Sequence, residues 1–461
     1  MTTPTRSDCT AALDELRALL GDRLSTGSSI LDEHGRDEAY TPPQRPDAVA
    51  FPRDTQEVSR IVKICARHDL PVIPYGTGTS LEGQIVPVSG GLSLDMSQMN
   101  RVIEIHEKDL DAVVQPGVTR TQLNDALRAT GLMFTVDPGA DASMGGMAST
   151  RASGTNTVRY GTIRENVLAL EVVLPDGEII RTGSRARKSA SGYDLTHLFI
   201  GAEGTLGVIT ELTVKLHGQP ESILAATCAF DTVEGAVDTV ILAIQCGLPM
   251  ARIELLDEVQ MKGMNLLHAD LGLAEKPHLF LEFHGTEAGV REQVETFREI
   301  ASDLGGRDFA FAEKAEDRNR LWAARHHAYY AGKALKPGAN GLVTDCCVPI
   351  SELACCISRT KQAIEMSGLI APLVGHVGDG NFHLAILVDP DSDDEMDRAR
   401  DLAASVNKIA LSLGGTVTGE HGVGVGKKKY MLAEHGGAYA LMQRLKLAVD
   451  PQNIMNPGKI V

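Results

Sequence analysis

The sequence predicts an α+β protein built in two folded parts, and three features predict it. Over residues 43–220 short strand-like runs dominate with few helices between them, unlike the strict alternation of a doubly wound sheet. From about Ser222 strands and helices alternate regularly, as in a separate α+β domain on an antiparallel sheet. The 461 residues, 43% of them hydrophobic, suffice for two or three domains with a sizeable core. The expected divisions are 1–42 for an N-terminal helix and lead-in, then 43–220, 221–415 and 416–461.

Residues 11–20 read as an amphipathic helix ending at Gly21. Asp54 and Glu57 form a capping box ahead of Val58, Ile61, Val62 and Cys65 at helical spacing. With the strands AVAF before it and Val72-Ile73 after it, this helix makes a βαβ-like unit. Strands follow at 92–96, 102–105 and 112–115, and a helix over 119–129 stops at Gly131. NVLALEVV and EIIRTG are strands joined by Pro-Asp-Gly, and VITELTVKLH alternates as a half-buried strand. In the second part, strands at 225–230, 253–256 and 278–283 alternate with helices at 232–245, 258–267 and 287–304. One long helix is expected over 315–333 and another near 432–447.

The stretch PVIPYGTGTSLEGQ, residues 71–84, is the first chemical signal. Gly76, Thr77, Gly78, Thr79 and Ser80 offer successive unhindered N–H groups and three hydroxyls, a composition that can form an anion-binding nest. It is neither a dinucleotide fingerprint nor a P-loop, since no helix follows and no Gly-Lys-Ser/Thr is present. On composition alone such a run can equally be a plain loop. The segment VDPGADASMGGMASTRASGTNTVRYGT, 136–162, has almost no large apolar side chains yet lies between strands, so it is read as lining a ligand. A helix start at Met144-Gly145-Gly146, capped by Ser143, would let backbone approach that ligand.

Forty-four basic against 61 acidic residues leave a net charge of −17, which argues against nucleic acid or an anionic membrane as partner. No run of about 18 apolar residues occurs. Asp8, Asp14 and Glu15 are wrong for a mitochondrial transit peptide, so the compartment read from the sequence is a bacterial cytoplasm, with peripheral membrane attachment left open. The eight cysteines form no C-x-x-C pair and are read as reduced, mostly buried thiols, with no iron–sulfur cluster.

The second signal is GHVGDGNFH, residues 375–383, between two apolar runs. Asp379-Gly380 reads as a two-residue type I′ turn, which pairs His376 with His383 on one face with Cβ atoms about 5 Å apart. Two imidazoles so placed suit a metal, and Glu420 in TGEHGVG is the candidate carboxylate. Without cysteine the set is read as catalytic rather than structural. His421, which cannot share the direction of its neighbour, is read as a general base.

Together PYGTGTSLEGQ, DPGADASMGGMASTRASGTNTVRYGT, GHVGDGNFH, GEHGVGVGK and the closing DPQNIMNPGK resemble the FAD-linked D-lactate dehydrogenases of the vanillyl-alcohol-oxidase superfamily. Glycolate oxidase flavin subunits and D-2-hydroxyglutarate dehydrogenases are relatives of that family. The resemblance implies a two-subdomain FAD-binding domain, an α+β cap (substrate) domain with an antiparallel sheet, and a C-terminal segment returning to the FAD domain. It implies FAD pyrophosphate at Gly76 to Ser80, and more of the cofactor along Pro138, Gly139, Ser143, Gly146, Ser153, Gly154, Ile209 and Asn456. No histidine stands in the 76–83 loop, so the flavin is expected to be non-covalent. The implied metal ligands are His376, His383 and Glu420, for zinc, manganese or iron, with His421 as base. Arg325, in LWAARHHAYY, is implied to bind the substrate carboxylate, whereas the residues alone read it as readily as an exposed helix charge.

The implied reaction is oxidation of a small D-2-hydroxy acid to its 2-oxo acid. D-Lactate is favoured because Val343-Thr344-Asp345 stands where hydroxyglutarate-type relatives carry a lysine. Glycolate and D-2-hydroxyglutarate are the alternatives, as are a flavin-free metallohydrolase and a non-catalytic flavin-fold subunit. The electron acceptor, whether cytochrome, quinone, flavoprotein or oxygen, is left open, as is the oligomeric state, a homodimer among the options.

Overall fold

The computed structural model describes residues 9–38 and 41–461 and divides into two units. The first comprises Met1–Ser153, Gly161–Gln219 and Glu420–Val461, and the second Gly154–Tyr160 and Pro220–Gly419. Among the described residues, no helix is long and apolar enough to cross a membrane.

In the first unit, Asp54 caps the helix Thr55–Arg67 by accepting from Glu57 N–H, 2.8 Å. The reciprocal half of the expected capping box is missing, because Glu57 accepts from Arg53 N–H and is held by Arg23. An ion pair with Arg23 outcompetes the reach back to the cap. The strands flanking this helix, Ala48–Ala50 and Val72–Tyr75, do not pair directly. Leu92–Asp95 lies between them, parallel to both. A second, antiparallel sheet runs in the order Val102–His106, Asp111–Val114, Val208–Lys215, Val167–Val173, Ile179–Arg181. Each sheet has its own apolar cluster.

The second unit carries a wholly antiparallel sheet in the order Gly306–Ala312, Ser222–Phe230, His278–Gly285, Met250–Leu256, Leu373–His376, Asn381–Val388, Asn340–Val343. Side chains alternate between its faces. Ile253, Leu255, Leu279 and Leu281 join a cluster with Val237, Phe297, Ile357 and Leu402 from four helices. Leu256 and Phe280 go to the other face, with Met261, Leu321 and Trp322. Glu254 shares the parity of Leu256.

Two expected helices are each broken in two. The helix over 315–333 is Ala315–His326 and Ala328–Lys333, with His327 at ψ 9° between them and the buried Gln260 amide donating to Ala328 O. The helix near 432–447 is Met431–His435 and Gly437–Val449, because Gly436 takes φ +52° and ends the first piece. All eight cysteines are free thiols; four are buried, two half-buried and two exposed, fewer buried than expected.

Candidate active site and cofactor cradle

In the first unit the strand Val72–Tyr75 delivers the 76–84 loop. The N–H groups of Thr77, Gly78, Thr79 and Ser80 donate to no other described residue, leaving four neighbouring donors available to an anion. A Cβ on Gly76 would stand 2.5 Å from Ser143 Oγ, and one on Gly78, at φ +74°, would collide with the Tyr75 hydroxyl. The base of the loop is tied by Asp37, which accepts from Ser80 Oγ and Gly83 N–H, both at 2.9 Å. Ser80 therefore spends its hydroxyl on Asp37.

Ser143 does cap the helix Met144–Thr150, and the first N–H groups of this helix are taken up within the protein. Met144 N–H donates to Val118 O and Gly145 N–H to Pro116 O, both at 2.8 Å, and Gly146 N–H to Ser143 Oγ at 3.3 Å. Gly145 allows close packing, since a Cβ there would stand only 2.6 Å from Pro116. Pro138 is half-buried and Gly139 exposed in the preceding loop, and Ile209 is buried in a strand opposite Val172. Ser153 Oγ donates to Glu420 Oε2 at 2.6 Å. The small-residue stretch is divided: Gly154 begins the segment that belongs to the second unit, where Tyr160 OH meets His284 Nδ1 at 2.7 Å and Arg252 Nε donates to Asn156.

The C-terminal segment is stitched to this loop. Gln84 Nε2 donates to His421 O at 2.7 Å, and Glu82 O accepts from Val425 N–H at 2.8 Å. Asn456 donates to Gln84 O and Glu203 O at 2.9 and 2.7 Å and accepts from Lys459. Its side chain thus serves as a clip between backbones. His421 and Glu420 are both largely buried, with His421 Nε2 4.0 Å from Glu420 Oε1.

Glu203 is a buried anchor that sequence reading missed. Its carboxylate accepts from Val423 N–H at 2.6 Å and Gly424 N–H at 2.8 Å. Burial pushes its carboxyl up to about 7 against the pull of those two donors. A folded-state value above the unfolded one means that this contribution to stability is full below about pH 4.5 and is lost as pH rises through 7. Thermal unfolding between pH 5 and 7.5 is therefore expected to show stability falling by roughly 2–3 kcal/mol from this group. In Glu203→Gln, which has no carboxyl to titrate, that slope flattens. An unchanged slope in the variant would refute the assignment.

In the second unit the histidine hairpin departs from expectation. Strands Leu373–His376 and Asn381–Val388 pair Val374 with His383 and His376 with Asn381, leaving 377–380 as a four-residue loop. Val377 is fully buried in the core, and Gly380, at φ +79°, packs where a Cβ would strike Val348 O. Tertiary packing thus opens the two-residue turn. Parity is unchanged, so both histidines keep one face, diagonal rather than opposite. Their ring centroids lie 5.4 Å apart at 82°.

Each imidazole is oriented through Nδ1. His376 Nδ1 donates to Glu254 Oε1 at 2.7 Å, and His383 Nδ1 to Thr344 O at 3.0 Å with Asp345 Oδ1 3.6 Å away. Acceptors at both Nδ1 positions place both lone pairs on Nε2, the arrangement of metal-ligating histidines. The donor set fits a divalent metal.

Arg325 is buried at 8% exposure rather than an exposed helix charge, and its Nε and Nη2 both donate to Glu254 Oε2, Nε at 3.0 Å. Burial disfavours the Glu254 carboxylate, but His376 and Arg325 beside it outweigh that and hold its carboxyl below the usual range. Asp345, fully buried, accepts from Asn381 Nδ2 and Thr418 Oγ1 at 2.9 and 2.8 Å. Glu254 escaped the sequence reading, and Asp345 entered it only as the end of Val343-Thr344-Asp345. For Glu254 a signal existed, two charges at i and i+2 in the otherwise apolar MARIELL.

Residues 46–183 match the model of the FAD binding domain and 219–460 that of the FAD linked oxidases, C-terminal domain. A probable D-lactate dehydrogenase, mitochondrial, of Danio rerio is 50% identical over 98% of this chain and 93% of its own length. D-lactate dehydrogenase [cytochrome], mitochondrial, of Arabidopsis thaliana is 46% identical over 97% of the chain and 80% of its own length. Saccharomyces cerevisiae D-lactate dehydrogenase [cytochrome] 1, mitochondrial, is 40% identical over 97% and 79%. Among solved structures, p-cresol methylhydroxylase with substrate bound matches with TM-score 0.81, at 19% identity over 98% of this chain and 96% of that one, a likeness of fold. The three mitochondrial names overturn the bacterial cytoplasmic expectation. That reading leaned on the acidity of the first 20 residues, and a missing signal there specifies no compartment. The chain is an FAD-linked oxidoreductase and belongs to the FAD-linked D-lactate dehydrogenase family of the vanillyl-alcohol-oxidase superfamily.

Proposed function

We propose that this protein oxidises D-lactate to pyruvate and delivers the electrons to a cytochrome. The observation that carries the reading is the buried series Arg325, Glu254, His376 beside His383, in a chain whose relatives are named D-lactate dehydrogenases. Gly76 to Ser80 and the residues named above for the flavin would hold FAD non-covalently, and it would supply the two-electron acceptor. His376, His383 and Glu420 would hold a divalent metal, which would supply Lewis acidity toward the hydroxy acid. Arg325 holds the substrate carboxylate with the N–H groups that Glu254 does not take. His421 removes the hydroxyl proton as the Cα hydrogen leaves with its electron pair, and the C–O bond becomes a carbonyl. With Val343-Thr344 ahead of Asp345, no lysine at that position meets a second carboxylate, which favours a small monoacid.

The test is an anaerobic flavin spectrum of metal-replete protein, titrated in turn with D-lactate, L-lactate, glycolate and D-2-hydroxyglutarate. Bleaching by D-lactate ahead of the other acids is expected, with activity lost to a chelator and restored by added metal. Selective bleaching by another acid would overturn the substrate, and full activity in the metal-free protein would overturn the metal's role.

A further inference from the structure

Glu254 is one carboxylate serving two masters. It projects from the strand Met250–Leu256 on the polar stretch of a face otherwise packed with Leu256, Phe280 and Trp322, and it is 1% exposed. Its Oε1 takes the Nδ1–H of His376 at 2.7 Å, and its Oε2 takes Arg325 Nε at 3.0 Å together with Nη2. A carboxylate is planar and its two oxygens move together, so the angle of the His376 ring and the plane of the Arg325 guanidinium are set by the same group. A buried carboxylate that lost either partner would keep its charge with one partner fewer, which favours keeping both contacts.

We propose that Glu254 is a positioning residue that couples metal capture to capture of the substrate carboxylate. The inference rests on the roles proposed above for His376 and Arg325. By orienting the His376 tautomer it presents Nε2 for the metal, and by holding two of the five Arg325 N–H groups it turns the rest of the fork in a fixed direction. Such a shared orienter makes the two events thermodynamically linked, so substrate tightens metal by the same factor by which metal tightens substrate.

The test uses full-length FAD-loaded protein and reads zinc affinity by chelator competition, alongside KM and kcat for D-lactate. Glu254→Gln keeps the shape but loses the charge and one acceptor. It is expected to weaken zinc about 10–100-fold, as loss of a carboxylate behind a histidine ligand does, and to raise KM by about tenfold or more. Glu254→Asp, which keeps the charge but withdraws it by one methylene, should move both quantities the same way by less, and stands in if the Gln variant does not fold. Flavin content and far-UV circular dichroism check that the fold is intact. His376→Asn should move zinc affinity, and Arg325→Lys should move KM. A Glu254 variant that shifts only one of the two quantities, or neither, while both controls behave, overturns the coupling. If His376→Asn leaves zinc affinity unchanged, the ligand role fails instead, and the two failures are told apart.

Discussion

Replacing His421 by Asn is expected to lower kcat for D-lactate by about 10²–10⁴-fold, the usual loss when a positioned base is removed, while FAD stays bound. The backbone at this residue is pinned by Gln84, so the substitution removes the imidazole without releasing the segment. The side chain is largely buried, and Glu420 stands 4.0 Å from its Nε2. Stopped-flow reduction of the flavin by D-lactate checks the expectation. A rate within a few-fold of the parent would mean that the proton leaves to another group.

Arg325→Ala is the second large effect, and it is double. Substrate binding is expected to weaken by roughly 2–5 kcal/mol, seen as a rise in KM, if the guanidinium holds the carboxylate. Stability is also expected to fall by about 3–5 kcal/mol, because Glu254 then keeps a buried charge with one partner fewer. Steady-state kinetics and chemical denaturation read the two separately. Lost stability with an unchanged KM would reduce Arg325 to a counter-ion for Glu254.

Most elements could be read from local pattern because they answer to local rules. The helix Thr55–Arg67 follows from a cap and an apolar stripe, and the antiparallel sheet of the second unit from alternating apolar runs. Where two rules compete, the sequence alone was a poorer guide. Glu57 was claimed by Arg23 rather than its own cap, and Asp379-Gly380 was stretched into a longer loop by the burial of Val377 and the packing of Gly380.

At the candidate site the same division holds. The chemistry-bearing residues announce themselves because glycine runs and paired histidines are rare in segments that only build a core. The residues that orient them announce themselves less: Arg252 and Glu254 mark a polar spot in the apolar MARIELL but not what it faces. What the sequence by itself determined is the family, the order and type of most elements, and the residues proposed for the chemistry. What only the tertiary structure decided is that the 76–80 loop and not the helix at Ser143 keeps its donors open, and that Glu254 joins Arg325 to His376 from 71 and 122 residues away. Hydrogen bonds across such separations are set by how the sheet and helices pack, and no local pattern carries that information.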